Sequence, residues 1–584
     1  MLDEQVTGKI LVYTLENALK FDGKANPKAV LGKILSEFPH LKTEIENLMK
    51  RINETVEHVN SMSLDKQREE FNKIAGGEPT KSKHKEEKQL PQLPNVEKYS
   101  KIIMRLAPYP SGPLHIGNLR MVILNDEYVK KYRGELYLIY DDTIGSEEKV
   151  ILPEAYDYIR EGLDWLNVKV DKVFYKSERL NIFYEWCRRI ISEGKAYVCT
   201  CNPEIWRQKF KLKKADCPCR TQTVSQNLDK WDKMLNGTYG EGEAAVRVKT
   251  SMSEPDPALR DHVIMRISDK PHPRVGTKYR VWPLLEFSWA VDDYLLNITH
   301  ILRGKDLIKE DKVEEIIWDL LGVPKREFIH YGRIRFQGLS LSKSKSAKYV
   351  KEGKYIGWRD PRTWSLQSLQ ARGFRPEAIR EAILDLGLSL SDIEYSPEIL
   401  YSFNRRIIDP EVNRLFYVED PVELKIIGLK APELKAEPPN HPDFPERGRR
   451  NIILKVDGDT ATVLISTSDA RKLSTGEKIR LKDLANIQIK LKDDRYQAEY
   501  LSKSIEEARI QGIKKIIQWV PVYSKITVEV VMPDGSLTNG LAEPEAGKLK
   551  VDDIIQFERF GFIRVDSVKC ENNKYKIKAF YLHK

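Results

Sequence analysis

The chain has 584 residues, with 97 Lys+Arg against 87 Asp+Glu, a net charge of +10 and 32% charged residues. That length predicts roughly three to five domains, and the basic excess admits a polyanionic partner without requiring one. No apolar run approaches the ~20 residues of a membrane span, and the N-terminal stretch lacks a basic segment followed by an apolar block, so no secretory signal is expected. Six cysteines, four of them clustered, argue against a disulfide scaffold and for a reducing cytoplasm with a metal knot.

Residues 1–75 read as helices. Asn26-Pro27 is an N-cap followed by proline at the first helical position. Leu41, Ile45, Leu48, Ile52, Val56 and Val59 form one apolar stripe at helical spacing. The stripe is expected to pack inside a small helical domain, with a partner-binding helix as the alternative. Residues 76–98 are polar, lysine-rich and proline-bearing, and read as a linker.

The stretch KIIMRLAPYPSGPLHIGNLR, 101–120, organises the central part of the chain. An apolar strand stops at a Pro/Gly loop and opens a helix, which brings backbone N–H groups and a helix dipole to one point, a place for phosphate. Pro110 and Pro113 stiffen the loop, Gly112 and Gly117 allow close approach, and His115 lies against the ligand. From there to about residue 350, apolar runs alternate with helical patterns: ELYLIYDD, VFYKS, LNITHILRGKD and EFIHYGRIRF. That alternation predicts a parallel, doubly wound sheet whose ligands sit at the carboxyl ends of strands, where Asp141 and Arg303 fall.

Between about 190 and 290 lies an insert. It carries Cys199-Thr200-Cys201 and, fifteen residues on, Cys217-Pro218-Cys219. Four thiols in two tight pairs suit a structural, tetrahedral Zn²⁺, although the usual spacing within a pair is two to four residues and here it is one. Cys187 and Cys570 read as packing residues. The loop Gly338–Ser346, GLSLSKSKS, follows a strand and offers lysine charge and serine hydroxyls to a polyphosphate. Helices follow Ser365, and from about 410 short strands with turn signals predict barrels or a sandwich. Asp457-Gly458 reads as a hairpin turn.

With these motifs placed, the chain resembles the class I aminoacyl-tRNA synthetases. RLAPYPSGPLHIGN is similar to their first signature, usually His-Ile-Gly-His, with Asn118 in place of the second histidine. LSKSK resembles the second, Lys-Met-Ser-Lys-Ser, with Ser340 in place of the first lysine and Ser342, Lys343 and Ser344 matching. Over nearly its whole length the chain resembles archaeal-type glutamyl-tRNA synthetases. NALKFDGKANPKAVLGKI is similar to their helical appendage, GTKYRVWPLLEF and AVDDYLLNITHILRGKD to their catalytic phrases, and IIQWVP, GLAEPEAGKLK and IIQFERFGFIRVD to their β-barrel anticodon module.

The resemblance implies a Rossmann-like catalytic domain in two halves, 99–195 and 291–350, around an acceptor-stem-binding insert, 196–290, with the cysteine knot. A helical connection, 351–408, leads to β-barrels at 409–584. It implies ATP-dependent attachment of L-glutamate to tRNA(Glu) through glutamyl-adenylate, in the cytoplasm, with Mg²⁺ arriving with ATP. Pro113, His115, Gly117, Asn118, Ser342, Lys343 and Ser344 are then expected at ATP, with His115 and Lys343 catalytic through charge neutralisation. Arg105, Ala107, Asp141 and Arg303 are expected at the amino acid, Arg105 with its fork on the side-chain carboxylate and Asp141 on the ammonium. A glutaminyl-tRNA synthetase and an inactive tRNA-binding paralogue remain alternatives. Departures from the family pattern motivate the latter: Ile139-Tyr140-Asp141-Asp142-Thr143-Ile144-Gly145 for Arg-Phe-Asp-Asp-Thr-Asp-Pro, Leu285 for a pocket tyrosine, and Trp358-Arg359-Asp360-Pro361-Arg362-Thr363 for Trp-Asp-Asp-Pro-Arg-Leu.

Overall fold

The structure is a computed structural model that describes every residue except 1–3, 21–22, 39–40, 42–43, 76–89, 145–149, 340, 492–495, 525 and 573. The chain divides into two compact units, Met1–Gln89 and Leu90–Lys584. Most of the expected linker (76–89), Gly145 and Ser340 lie outside the described residues.

The first unit holds four helices, α1 (Glu4–Lys20), α2 (Pro27–Glu37), α3 (Ile45–Asn60) and α4 (Leu64–Ala75). The Asn26 carbonyl accepts from Ala29 and Val30 N–H as α2 begins at Pro27. The stripe packs as its spacing predicts: Leu41, Leu48, Ile52, Val56 and Val59 are buried together, whereas Ile45, which opens α3, stays exposed.

The second unit begins with residues already folded onto its core. Leu93 is buried, and the Pro94 carbonyl lies 2.8 Å from His300 Nε2. Residues 90–98 are therefore packed chain, because an apolar side chain among lysines and prolines finds a core to enter.

Strands β1 (Ile103–Leu106), β2 (Glu135–Tyr140) and β3 (Lys172–Tyr175) form a parallel sheet in the order β1-β2-β3. Helices α5 (Leu119–Tyr132), α6 (Ala155–Trp165) and α7 (Leu180–Ser192) follow the three strands in turn. The chain then makes a four-stranded antiparallel sheet, β4 (Ala196–Cys199), β5 (Ala245–Val248), β6 (Val263–Ile267) and β7 (Val281–Pro283), with the short α8 (Pro203–Trp206) and α9 (Val224–Leu235). Helix α10 (Leu285–Leu295) returns it to a second parallel pair, β8 (His300–Gly304) and β9 (Glu327–Tyr331), joined by α11 (Ile308–Leu321). The Thr299 N–H donates to the Ile103 carbonyl at 2.8 Å, which sets the two parallel pieces edge to edge as β3-β2-β1-β8-β9, the order of a doubly wound sheet.

Alternation along β2 shows why this sheet is covered on both faces. Leu136, Leu138 and Tyr140 enter one core with α5 and α6, while Tyr137 and Ile139 enter another with α7, α10 and α11. The reversal of strand order lies between β1 and β8, and their carboxyl ends carry Arg105 and Arg303.

From residue 412 the chain is β. In one seven-stranded sheet the two end strands are Arg414–Leu415 and Tyr417–Glu419, separated by Phe416 alone. In a second, the end strands are Ile516–Ile517 and Val520–Pro521. A sheet whose opposite edges are contiguous in sequence has wrapped around on itself, so both are barrel-like. The Asp457-Gly458 turn forms, with reciprocal backbone bonds between Asp457 and Thr460. It closes a two-residue hairpin at the single antiparallel bridge Asp457–Thr460, beyond which the flanking strands belong to different sheets.

The barrel of the C-terminal residues shares a core with the α/β part. Phe562 and Leu582 are fully buried among Leu366, Phe374 and Tyr395, and the fully buried Arg372 donates to the carbonyls of Tyr581 (3.2 Å) and Leu582 (2.6 Å). A chain ended at Ile408 loses these partners, at a cost of ~5 kcal/mol or more, comparable with the whole stability of a domain. It should show no cooperative thermal transition by circular dichroism; a sharp transition at the full chain's temperature would show that the shared core is dispensable.

Candidate functional site

Two loops meet at the carboxyl end of β1. The first, Pro113–Asn118, is held by backbone pairing to a distant segment: Ile116 N–H donates to the Trp364 carbonyl (3.0 Å) and Leu366 N–H to that of Leu114 (2.9 Å). Gly112 has φ +148° and faces the Trp358 ring, whose Cη2 would lie 3.0 Å from an added Cβ, so only glycine fits there. The second loop feeds a helix, α12 (Lys343–Lys351), with Ser342 as N-cap accepting from Lys345 N–H at 3.3 Å. The loops touch at Gly117, where an added Cβ would lie 3.3 Å from Leu341 Cδ1. Pro113, His115, Gly117, Asn118, Ser342, Lys343 and Ser344 thus share one end of the sheet.

The first loop does not present the backbone cradle its sequence predicts. The Ile116 N–H is taken by Trp364, that of Gly117 by His115 Nδ1 (3.0 Å), and that of Asn118 by the His115 carbonyl (2.8 Å). Side chains are the donors left to an anion here. His115 Nδ1 accepts, so its proton sits on Nε2. Burial, and next the nearby Lys343 charge, hold the imidazole down at about 3, so it is neutral near pH 7. In the unliganded fold it offers a hydrogen bond and not the positive charge expected from sequence. Asn118 Oδ1 accepts from His115 N–H at 3.1 Å, leaving its amide nitrogen to donate.

Beside these loops, the strands' carboxyl ends deliver charge beneath α10. Arg105, from β1, is buried and gives Nε and Nη2 to both oxygens of Asp293, at 2.5 and 2.7 Å. The side-on face of its guanidinium is therefore engaged within the protein, and the end-on pair of Nη1 and Nη2 is the face left for the carboxylate that the sequence predicts. Asp141, after β2, forms an ion pair of 2.9 Å with Lys176, which follows β3 and is fully buried. Lys176 Nζ also donates to Ser288 Oγ at 2.7 Å. Arg303, from β8, donates to Asp311 and, at 2.7 Å, to Glu314. Arg105, Lys176 and Arg303 all lie over the Trp289 ring, at 4.9, 5.1 and 4.8 Å from its centre. Ala107 is half-buried beyond the end of β1, and Leu285 is the first residue of α10.

Sequence reasoning missed Lys176, Ser288, Trp289 and Asp293. The available signal was two adjacent acids, Asp292 and Asp293, directly after the apolar run WAV in LEFSWAVDDYL: a buried acid pair demands buried cations.

In the insert, the sulfurs of Cys199, Cys201, Cys217 and Cys219 lie within 4.8 Å of one another. Cys199–Cys217 and Cys201–Cys219 are 4.0 and 3.8 Å apart, close to the ~3.8 Å that tetrahedral Zn–S bonds of ~2.3 Å require. The donor set fits zinc, and one residue between paired cysteines does not prevent it. Cys187 is buried, as expected of a packing residue, whereas Cys570 is exposed. Among the described residues, no helix is long and apolar enough to cross a membrane.

Residues 101–410 match the family model of the catalytic domain of class I (E and Q) tRNA synthetases, and 412–504 and 516–566 match models of that family's anti-codon binding domain. The glutamate–tRNA ligase of Methanocaldococcus jannaschii is 45% identical over 96% of this chain and 97% of its own. That of Pyrococcus furiosus is 44% identical over 98% and 99%, and that of Methanopyrus kandleri 39% identical over both full lengths. A solved glutamate-tRNA synthetase from Elizabethkingia anophelis aligns with 53% of this chain and 70% of its own at 19% identity and a TM-score of 0.39.

The His115 environment generates a pH prediction. A folded-state value below the usual ~6.5 contributes stability that is complete above ~6.5 and is lost as pH falls toward about 3. Between about pH 7 and pH 4, His115→Asn should therefore lose less unfolding free energy than the wild type, measured by urea titration. Equal losses would show that the imidazole is not held neutral.

Proposed function

The chain belongs to the class I (E and Q) tRNA synthetases, and from that membership we infer that it is a glutamate–tRNA ligase, using ATP to form glutamyl-adenylate and passing the glutamyl group to tRNA(Glu). The observation that carries this reading is the meeting of the His115 and Lys343 loops at the reversal point of the sheet, beside a buried cluster of ion pairs. The near-full-length similarity to glutamate–tRNA ligases supports glutamate over glutamine.

Adenylate formation needs no covalent enzyme intermediate. It needs the glutamate α-carboxylate held in line with the α-phosphate, and stabilisation of the charge that collects on the departing pyrophosphate. Pro113 and Gly117 form the floor on which the nucleotide lies. His115 Nε2–H, Ser342, Ser344 and the Asn118 amide donate hydrogen bonds, and Lys343 supplies the compact charge. A bound polyphosphate favours protonation of His115, so the neutral imidazole of the free chain gains charge as the triphosphate arrives. Mg²⁺ comes with ATP and is held mainly by its phosphates. Arg105, Ala107, Asp141 and Arg303 border the amino acid, with Asp141 receiving the α-ammonium and Arg105, held by Asp293, turning its end-on face to the side-chain carboxylate. The barrels read the anticodon and the insert holds the acceptor end; the reading is of a cytoplasmic enzyme, which cysteines without disulfides support.

Pyrophosphate exchange with tRNA present tests the reading. Exchange should depend on glutamate and not on glutamine, and Lys343→Ala should lower it on the order of a hundredfold without weakening tRNA binding. Glutamine-dependent exchange would identify a glutaminyl enzyme, and silence with ATP still bound an inactive paralogue.

The four cysteines would hold Zn²⁺ as a structural ion, since four thiolates leave no open position. Metal analysis should find about one zinc per chain, with sulfur ligation at ~2.3 Å. Four freely titratable thiols in metal-free, folded protein would refute this.

A further inference from the structure

The three cations buried beneath α10, and the half-buried Arg179 beside them, are not held alike. Arg105 is locked by both oxygens of Asp293, Arg179 bonds to Asp292 at 2.8 Å, and Arg303 is shared by Asp311 and Glu314. Lys176 has a single carboxylate, Asp141, through one ion pair of 2.9 Å. Among the described residues Lys176 is in turn the one cation within ion-pair distance of Asp141. Both are buried, Lys176 to 0% exposure.

We propose that Lys176 is an internal rival of the substrate's α-ammonium group: its Nζ holds Asp141 in the free chain, and an amino acid gains that carboxylate by displacing it. This rests on the reading of Asp141 as the ammonium receptor. A lysine head and an α-ammonium are the same chemical group, a compact –NH₃⁺ with three donors. Two such groups on one buried carboxylate would leave an uncompensated positive charge in a medium that screens poorly. Exchanging one for the other leaves the lysine's charge in the cluster, where the two carboxylates that glutamate brings with its one ammonium would offset it. The displaced lysine has a seat close by. Ser288 Oγ already accepts from Nζ at 2.7 Å, and the Trp289 face lies 5.1 Å away, so a small swing of the flexible stem keeps a hydrogen bond and a cation–π contact. Asp141 gains no such freedom, because its backbone N–H is fixed to the Pro108 carbonyl at 3.1 Å. Lys176 is thus a specificity-determining residue. It weakens every ligand that needs Asp141 and leaves untouched an acid that does not.

Calorimetric titration of the full chain with L-glutamate and with glutarate, which lacks the amino group, tests this. Lys176→Gln should bind glutamate about tenfold more tightly than wild type, ~1.4 kcal/mol, with glutarate changed less than twofold. Glutamate should also raise its melting temperature by more than that of wild type. Lys176→Arg keeps the charge and grips Asp141 with a fork, so it should weaken glutamate and spare glutarate; it decides the matter alone if the glutamine variant does not fold. Loss of glutamate binding in Lys176→Gln would make Lys176 a substrate contact and overturn the proposal, as would equal shifts for both ligands. Asp141→Asn separates the underlying reading: it should weaken glutamate alone. If it leaves glutamate unchanged, Asp141 is not the ammonium receptor. If it weakens glutamate while Lys176→Gln does not strengthen it, the receptor stands and the rivalry fails.

Discussion

Burying Arg105, Lys176 and Arg303 under one helix, with Arg179 half-buried beside them, is the constraint on which the rest of this catalytic unit depends. Removing one partner from a buried ion pair costs about 3–5 kcal/mol, so Arg105, Lys176, Arg179 and Arg303 must each find a carboxylate as the chain folds. Helix α10 supplies Asp292 and Asp293, and α11 supplies Asp311 and Glu314. Those two helices lie at the far end of the insert from β1–β3. Two of the pairs, Arg105–Asp293 and Arg179–Asp292, therefore register the second half of the sheet against the first across a long excursion of chain, and they do so at the carboxyl ends, where a ligand would sit. Trp289 makes this arrangement compact, because one indole faces three cations and keeps them apart without adding charge.

The loop that carries His115 depends on a different neighbour. Leu114 and Ile116 take their backbone partners from Leu366 and Trp364, and Gly112 rests on Trp358. The segment from 358 to 372 is in turn pinned to the C-terminal barrel, by Arg359 on Asp566 at 2.7 Å and by Arg372 on the Tyr581 and Leu582 carbonyls. One short stretch thus contacts the loop that carries His115 on one side and the barrel on the other. Any shift of the barrel against the sheet must pass through hydrogen bonds that define the His115 loop.

Much of this was legible in the sequence. Strand-helix alternation gave the doubly wound sheet, the α3 stripe gave the helical unit, and close-spaced cysteines gave the sulfur cluster, because periodicity and short spacing are local signals. The His115 loop was legible in position but not in its donors. Its amides are engaged by Trp364 and His115, and a partner some 250 residues away leaves no trace in the loop's own residues. The same limit explains Arg105. A charged residue ending a buried strand announces a site, but which face of it Asp293 takes depends on a pairing across 188 positions. The Asp457-Gly458 turn formed as its residues require, yet sheet membership of its flanking strands is a tertiary fact.

The departures from the family phrases separate by where their partners lie. Arg359, an arginine where an acid is usual, meets Asp566 on the barrel, so the reversed charge is matched within the chain. Thr363 turns its hydroxyl onto the Trp358 and Asp360 carbonyls and tightens the same segment. These changes are compensated locally and leave the fold's demands met. Leu285 is different, because it removes a hydroxyl from the helix that roofs the charged pocket and puts nothing polar in its place. The polar demand there falls to Ser288, one turn along, whose Oγ donates to the Leu285 carbonyl and accepts from Lys176. The pocket is thereby closed from within by a lysine and a serine. An amino acid must open it by offering Asp141 a better ammonium than the one it already holds.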